Sequence, residues 1–262
     1  MPTTHSPEWW APSCGIIGNI WLGEYTGFDI LPVIERKKMK ENKKYIIISA
    51  ILFVVFAVFT YLVKTVDVQA IGPQNSEVGF AKLNGAVANA IGYNDFFYSL
   101  SEVLGYLAIG TVLIFGLFGV MQLFIRKGIG KVDKDLFVLL GLYVLCLLIY
   151  VVFEKVIINY RPVILEEGLE ASYPSSHTML AVAFISAAIS QFGARLKNEK
   201  TKKTVLALCI LDGIGVVVCR ILAGVHWLTD IIGAIFIALA CFFLYFAIFK
   251  TVIDKKRNNK EE

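Results

Sequence analysis

Residues Tyr45-Ile-Ile-Ile-Ser-Ala-Ile-Leu-Phe-Val-Val-Phe-Ala-Val-Phe-Thr-Tyr-Leu-Val-Lys64 contain no charged side chain before the final lysine. As an α-helix, a run of about 20 such residues crosses the hydrocarbon of a bilayer. Five more apolar runs of this kind follow, at 97–125, 136–158, 177–194, 204–222 and 227–249. The 262-residue chain is 57% hydrophobic and 18% charged, with a mean hydropathy of +0.68, which is too apolar for a soluble domain. The expected fold is all-α, a polytopic membrane protein whose six-helix bundle occupies 45–250. Residues 1–44 form a separate N-terminal segment, rich in tryptophan and suited to a membrane interface, and 251–262 a basic tail.

Charge placement supports the count of spans. Basic residues gather before the first run (Arg36 to Lys44), between the second and third (Arg126 to Lys134), between the fourth and fifth (Arg195 to Lys203), and after the sixth (Lys250 to Lys260). These are alternate loops, and the positive-inside rule assigns all four to the cytoplasm, with both termini. The net charge of +4 reflects this topology, and nucleic-acid binding is not indicated. No cysteine pair has metal-site spacing, and no disulfide framework is indicated. In the first outer loop, Phe80, Leu83, Val87 and Ile91 recur at helical spacing, predicting a short helix.

Two outer connections carry the chemistry. One contains Arg161-Pro162, then Ser172-Tyr173-Pro174-Ser175-Ser176-His177, with Ser175 or Ser176 at the N-cap of the fourth span. Free N–H groups and the positive helix end there suit an anion. The other reads Arg220-Ile-Leu-Ala-Gly-Val-His226-Trp-Leu-Thr-Asp230. Ionisable residues inside apolar sequence are expensive, so their presence points to function. Asp230 one turn beyond His226 is placed to hold one imidazole nitrogen and leave the other free to attack. Two arginines bring donors for phosphoryl oxygens, and two histidines suit attack on phosphorus and protonation of the leaving oxygen. The acidic loop residues Glu166, Glu167 and Glu170 offer ligands for a divalent ion or simply a solvated face. The intramembrane carboxylates Glu102 and Asp212 are expected to face the bundle interior in structural hydrogen bonds.

Taken together, these residues resemble the type-2 phosphatidic-acid phosphatase superfamily, which includes vanadium haloperoxidases and membrane lipid phosphatases. Arg161-Pro162 is similar to the end of its first motif, Pro174-Ser175-Ser176-His177 to Pro-Ser-Gly-His, and Arg220, His226 and Asp230 to the third at full spacing. The resemblance covers roughly 95–250. It implies His226 as a nucleophile forming a phosphohistidine, Asp230 orienting it, and His177 as general acid. Arg161, Arg220, Ser175 and the Ser176 region would bind the phosphate, with no metal and no cofactor. Three positions depart from the pattern: Cys219 stands for serine, Ser176 for glycine, and Glu154 for the lysine seven residues before Arg161. Lys155 is adjacent but turned by about 100° on a helix. A local bulge would bring Lys155 into register; otherwise Glu154 is placed to pair with Arg161.

The implied function is a membrane lipid phosphatase acting on phosphatidic acid, phosphatidylglycerol phosphate or a polyprenyl diphosphate at the outer face of a bacterial plasma membrane. A phosphotransferase using the same phosphohistidine, and a silent transporter or scaffold keeping the fold, are the alternatives.

Overall fold

The computed structural model describes residues 27–165 and 168–261, with side chains from 42 to 256 apart from 166 and 167. Residues 1–26, with their tryptophans, and Glu166 and Glu167 lie outside the described residues. The chain divides into two compact units, 1–41 and 42–262. The described residues form seven α-helices in order: α1 (Gly27–Thr65), α2 (Ala81–Ile91), α3 (Asp95–Arg126), α4 (Lys134–Lys155), α5 (Ser176–Arg195), α6 (Glu199–Ala223) and α7 (Leu228–Glu261). Six carry stretches long and apolar enough to cross a membrane: Asn42–Thr65, Asp95–Arg126, Lys134–Lys155, Ser176–Arg195, Glu199–Ala223 and Leu228–Lys256. The protein is a multi-pass membrane bundle.

Helices α5 and α7 are central, with 50% of their spanning windows buried inside the protein, against 17–22% for the other four. Their sequences explain this. Ala181, Ala183, Ala187 and Ala188 on α5 and Ala234, Ala238 and Ala240 on α7 are all buried. Small side chains let helix backbones approach closely where lipid supplies no hydrophobic drive to associate. Helix α3 packs on α5 and α6, α4 on α7, and Ser49 of α1 donates to the Ala240 carbonyl of α7 at 2.7 Å. The outward residues, such as Leu113, Leu117 and Phe124 of α3, are large and apolar.

The two ends of the bundle differ. At one end Arg195 pairs with the buried Asp135 at 2.5 Å, and Asp133 receives Lys256 at 2.9 Å and Arg126 at 3.1 Å. At the other end the start of α3 meets the end of α6. Asn94 caps α3 by accepting the Phe97 N–H at 3.2 Å, and its own N–H donates to the Ala223 carbonyl at 3.1 Å. Gly224 ends α6 at φ +66°, and a Cβ there would lie 2.0 Å from the Gly92 carbonyl oxygen. The site requires a residue without a Cβ.

Two expectations change. The third span was expected to reach residue 158, but α4 stops at Lys155. Asn159 instead accepts the Ser172 N–H at 2.9 Å, which commits the preceding apolar residues to a loop. The predicted outer helix exists as α2, with Leu83 47% exposed and Ala81 and Asn84 buried. Asn84 donates to the Gly79 carbonyl at 2.8 Å and to Thr229 at 2.9 Å, so satisfying one buried amide selects the buried face over the apolar stripe. Asp212 was expected to hold a structural hydrogen bond; its Oδ1 is buried without a partner.

Candidate active site

The loop between α4 and α5 folds back on itself. Tyr160 bridges Ala171, and the Arg161 N–H donates to the Glu170 carbonyl at 3.1 Å. This brings Asn159 and Ser172 side by side. Tyr173 then anchors the loop in the bundle: it is 1% exposed, its hydroxyl meets Thr60 at 2.8 Å, and its ring stacks on Phe56 at 6.0 Å. Gly233 of α7 makes room for that ring, since a Cβ there would lie 2.6 Å from it. Ser175 precedes α5, as expected of an N-cap, but its hydroxyl donates to the Thr178 hydroxyl at 3.1 Å. Its N–H donates to the Asp230 carbonyl at 3.2 Å, which ties the start of α5 to the start of α7.

His226 occupies the turn between α6 and α7, with its side chain 2% exposed. Its Nδ1 is 3.9 Å from Asp230 Oδ2, too long for a hydrogen bond. The expected direct contact is instead relayed by Ser172. The Ser172 hydroxyl donates to Asp230 Oδ2 at 2.5 Å and lies 2.9 Å from His226 Nδ1. A hydroxyl has one hydrogen, so with that hydrogen on Asp230, Ser172 Oγ accepts from Nδ1–H. This fixes the tautomer and leaves the lone pair on Nε2, which is buried and has no partner. Asp230 is itself held by the Trp227 N–H at 2.9 Å and Asn159 Nδ2 at 3.1 Å. Burial, above all, holds His226 well below the usual histidine range, and the positive charges of Arg161, Arg220 and His177 lower it further.

Arg220, at the end of α6, is 0% exposed. Its Nη2 forms a short contact with Glu102 on α3, and its guanidinium lies 5.3 Å over the Tyr98 ring. Its Nε and Nη1 are buried and unpartnered. Arg161 pairs through Nη2 with Glu170 at 2.9 Å, and its Nε is also buried and free. His177 opens α5; its Nε2 is 3.1 Å from Glu102, and its Nδ1 is buried without a partner. Unpaired buried donors in a native structure call for an explanation, and a bound anion supplies one here.

The fold thus brings Arg161, Ser175, Ser176, His177, Arg220, His226 and Asp230 to one end of the bundle. A small pocket there is lined by Glu154, Ser172, Ser176, Met179 and His226. Glu154 faces this pocket and Lys155 does not line it. Helix α4 continues as regular α-helix to Lys155, so no bulge brings the lysine into register, and Arg161 takes Glu170 as its partner in place of Glu154. Cys219 is buried beside Arg220, one of four free cysteines among the described residues. No cluster of three or more metal-ligating side chains occurs among the described residues, and Glu170 is engaged by Arg161. Sequence reasoning assigned no role to Ser172 or Asn159 and read Glu102 as a structural hydrogen bond. A serine and an asparagine in a polar loop carry no periodic signal, and the partners of Glu102 lie 75 and 118 residues away.

No curated protein sequence matches the chain significantly. Among solved structures, the chain is similar to the first transmembrane PAP2 type phosphatidylglycerolphosphate phosphatase from Bacillus subtilis. The two share 21% identity and a TM-score of 0.56, over 76% of this chain and 94% of that one, which is a likeness of fold. The sequence also matches the PAP2 superfamily continuously across residues 48–254, from the first spanning helix through the last, and on that match the chain belongs to the PAP2 superfamily.

Proposed function

We propose that the protein is a lipid phosphatase that cleaves a phosphomonoester or diphosphate headgroup through a phosphohistidine on His226. The observation that carries this reading is the setting of the His226 ring: Nδ1 is tied through Ser172 to Asp230, and Nε2 is buried and unpartnered. In the first step Nε2 attacks phosphorus while the bond to the leaving oxygen breaks, and His177 supplies that oxygen with a proton. The free atoms of Arg161 and Arg220, with Ser175 and the N–H groups opening α5, balance charge on the phosphoryl oxygens. In the second step water attacks the phosphohistidine, giving its proton to His177, and inorganic phosphate leaves.

The position of the site favours lipid. It lies at the mouth of a bundle whose flanks are apolar, so a headgroup phosphate reaches His226 while its tail stays among the outward-facing residues. Phosphatidic acid, phosphatidylglycerol phosphate and polyprenyl diphosphate share this geometry. The basic loops at the opposite end support an outer-face site in a bacterial plasma membrane, with both termini cytoplasmic. The positive charge comes from arginines and helix N–H groups, so the reaction is proposed to need no metal.

The test is phosphate release from a panel of lipid phosphates and diphosphates by purified protein in detergent with EDTA, beside His226→Ala. Turnover that survives chelation and vanishes in the variant supports the reading. A folded protein that releases nothing, but moves labelled phosphate to an alcohol acceptor, would make it a phosphotransferase. One that does neither would be a silent member of the fold.

A further inference from the structure

Resting on that phosphatase reading, we infer that Glu102 is a positioning residue of the reaction: it holds His177 and Arg220 in one carboxylate bridge and fixes Nδ1 of His177 as the proton-donating atom. Glu102 belongs to α3, which carries none of the three motifs, so the site has a wall that the motif pattern omits.

The geometry is specific. One oxygen of Glu102 faces His177 Nε2 at 3.1 Å and the other contacts Arg220 Nη2. An ionised carboxylate only accepts, so Nε2 carries a hydrogen. The remaining polar atoms of both partners, His177 Nδ1 and Arg220 Nε and Nη1, are buried and unpartnered. Glu102 therefore takes one edge of each group and leaves the other edge free for phosphate.

The rest of this face of α3 is built around the same two side chains. Tyr98, one turn before Glu102, lies beneath the Arg220 guanidinium. Gly105, one turn after, is buried, and a Cβ there would be 3.4 Å from Cδ2 of His177. The missing side chain lets the imidazole lie against α3 within reach of Glu102. Residues three and four apart share a helix face, so Tyr98, Glu102 and Gly105 act together.

During phosphoryl transfer, the bond from phosphorus to the leaving oxygen breaks as the bond to His226 Nε2 forms. The leaving oxygen takes the Nδ1 proton of His177. Glu102 keeps the Nε2 hydrogen throughout and is unchanged, and the water of the second step returns a proton to Nδ1. A carboxylate opposite the donating nitrogen stabilises the imidazolium and holds its plane.

The experiment compares Glu102→Gln, Glu102→Asp and His177→Ala on two substrates: a lipid phosphate with an alkoxide leaving group, and 4-nitrophenyl phosphate, whose phenolate leaves without a proton. Elution as a single detergent-solubilised species checks the fold. Glu102→Gln is expected to lower kcat on the lipid phosphate about 10²-fold, the low end for a general acid, and to cost less than about tenfold on the aryl phosphate. His177→Ala should show the same preference for the aryl substrate, and the double variant should be little worse than either single. Glu102→Asp, which keeps the charge on a shorter arm, should recover part of the lost kcat. Equal losses of Glu102→Gln on both substrates, or no loss on either, would overturn the assignment. If Glu102→Gln does not fold, Glu102→Asp decides: an unchanged ratio between the two substrates would overturn it. Wild-type protein inactive on both substrates would instead sink the phosphatase reading itself.

Discussion

The hydroxyl of Ser172 stands between His226 and Asp230, 2.9 Å from the imidazole Nδ1 and 2.5 Å from the carboxylate. The carboxylate thus reaches the histidine through a third side chain. Because Ser172 and Asn159 are joined by backbone pairing in the loop after α4, that loop sets the orientation of a ring in the turn before α7.

Ser172→Ala should remove the relay and leave His226 Nδ1 without a partner, while Asp230 Oδ2 keeps only the Trp227 N–H. Since the direct separation of 3.9 Å is too long for a hydrogen bond, kcat is expected to fall on the order of 10²-fold. Asp230→Asn should cost a comparable factor. The double variant should be close to the worse single one, because the two groups act as a unit. Steady-state kinetics on the preferred lipid checks this.

Burial and the neighbouring positive charges keep His226 neutral below the usual histidine range. The acid limb of kcat/KM is therefore expected below pH 6.5, where an ordinary histidine would already be protonated. Arg161→Gln removes one of those charges, so the limb should move to higher pH. Folding follows the same sign. The unfolded chain takes up the His226 proton near its ordinary value and the native state does not, so this residue costs stability as pH falls through that range. A pH–rate profile of both proteins, with thermal unfolding alongside, gives both readings.

Glu154 places a negative charge at the pocket that holds His226. Glu154→Lys should tighten inhibition by vanadate, which mimics pentacoordinate phosphorus. A change of at least about 1 kcal/mol, roughly fivefold in Ki, is the scale for two unit charges about 4 Å apart even in water. Glu154→Gln should give a smaller shift in the same direction.

Gly224→Ala should destabilise the protein by at least about 1 kcal/mol, the usual cost of a left-handed backbone for a residue with a Cβ. The added methyl would also press on the Gly92 carbonyl and part the start of α3 from the end of α6. Thermal unfolding in detergent measures the loss. By contrast, Asp133→Asn at the far end should lower stability and leave kcat nearly unchanged. Burial opposes the charge on Asp133, but bonds from Lys256, Gln122 and Arg126 outweigh it and hold the carboxyl at about 2.

Much of the fold was legible because its signals are local. Six apolar runs and alternating basic loops suffice to define the spans, and each motif residue sits beside a helix end where an apolar run breaks. The site residues converge because odd-numbered turns of an up-and-down bundle share one face. What escaped depended on distant contacts. Glu102 was visible as an intramembrane carboxylate, but only the packing of α3 on α5 and α6 supplies its partners. Ser172 looked like any loop serine until the pairing of residues 159 and 172 placed it on Asp230. The short helix α2 was legible from its spacing, but not which face it buries, because that is set by the Asn84 amide with three hydrogen bonds to Gly79 and Thr229.

In this mechanism phosphorus is bonded to His226 Nε2 during turnover. The direct measurement is to mix purified protein with phosphate-labelled lipid substrate, quench in alkali within one turnover, and map the label by peptide mass spectrometry. An alkali-stable, acid-labile label on His226, absent from His226→Ala, is the expected result. Hydrolysis that proceeds with the label on another residue, or in His226→Ala at an undiminished rate, would contradict it.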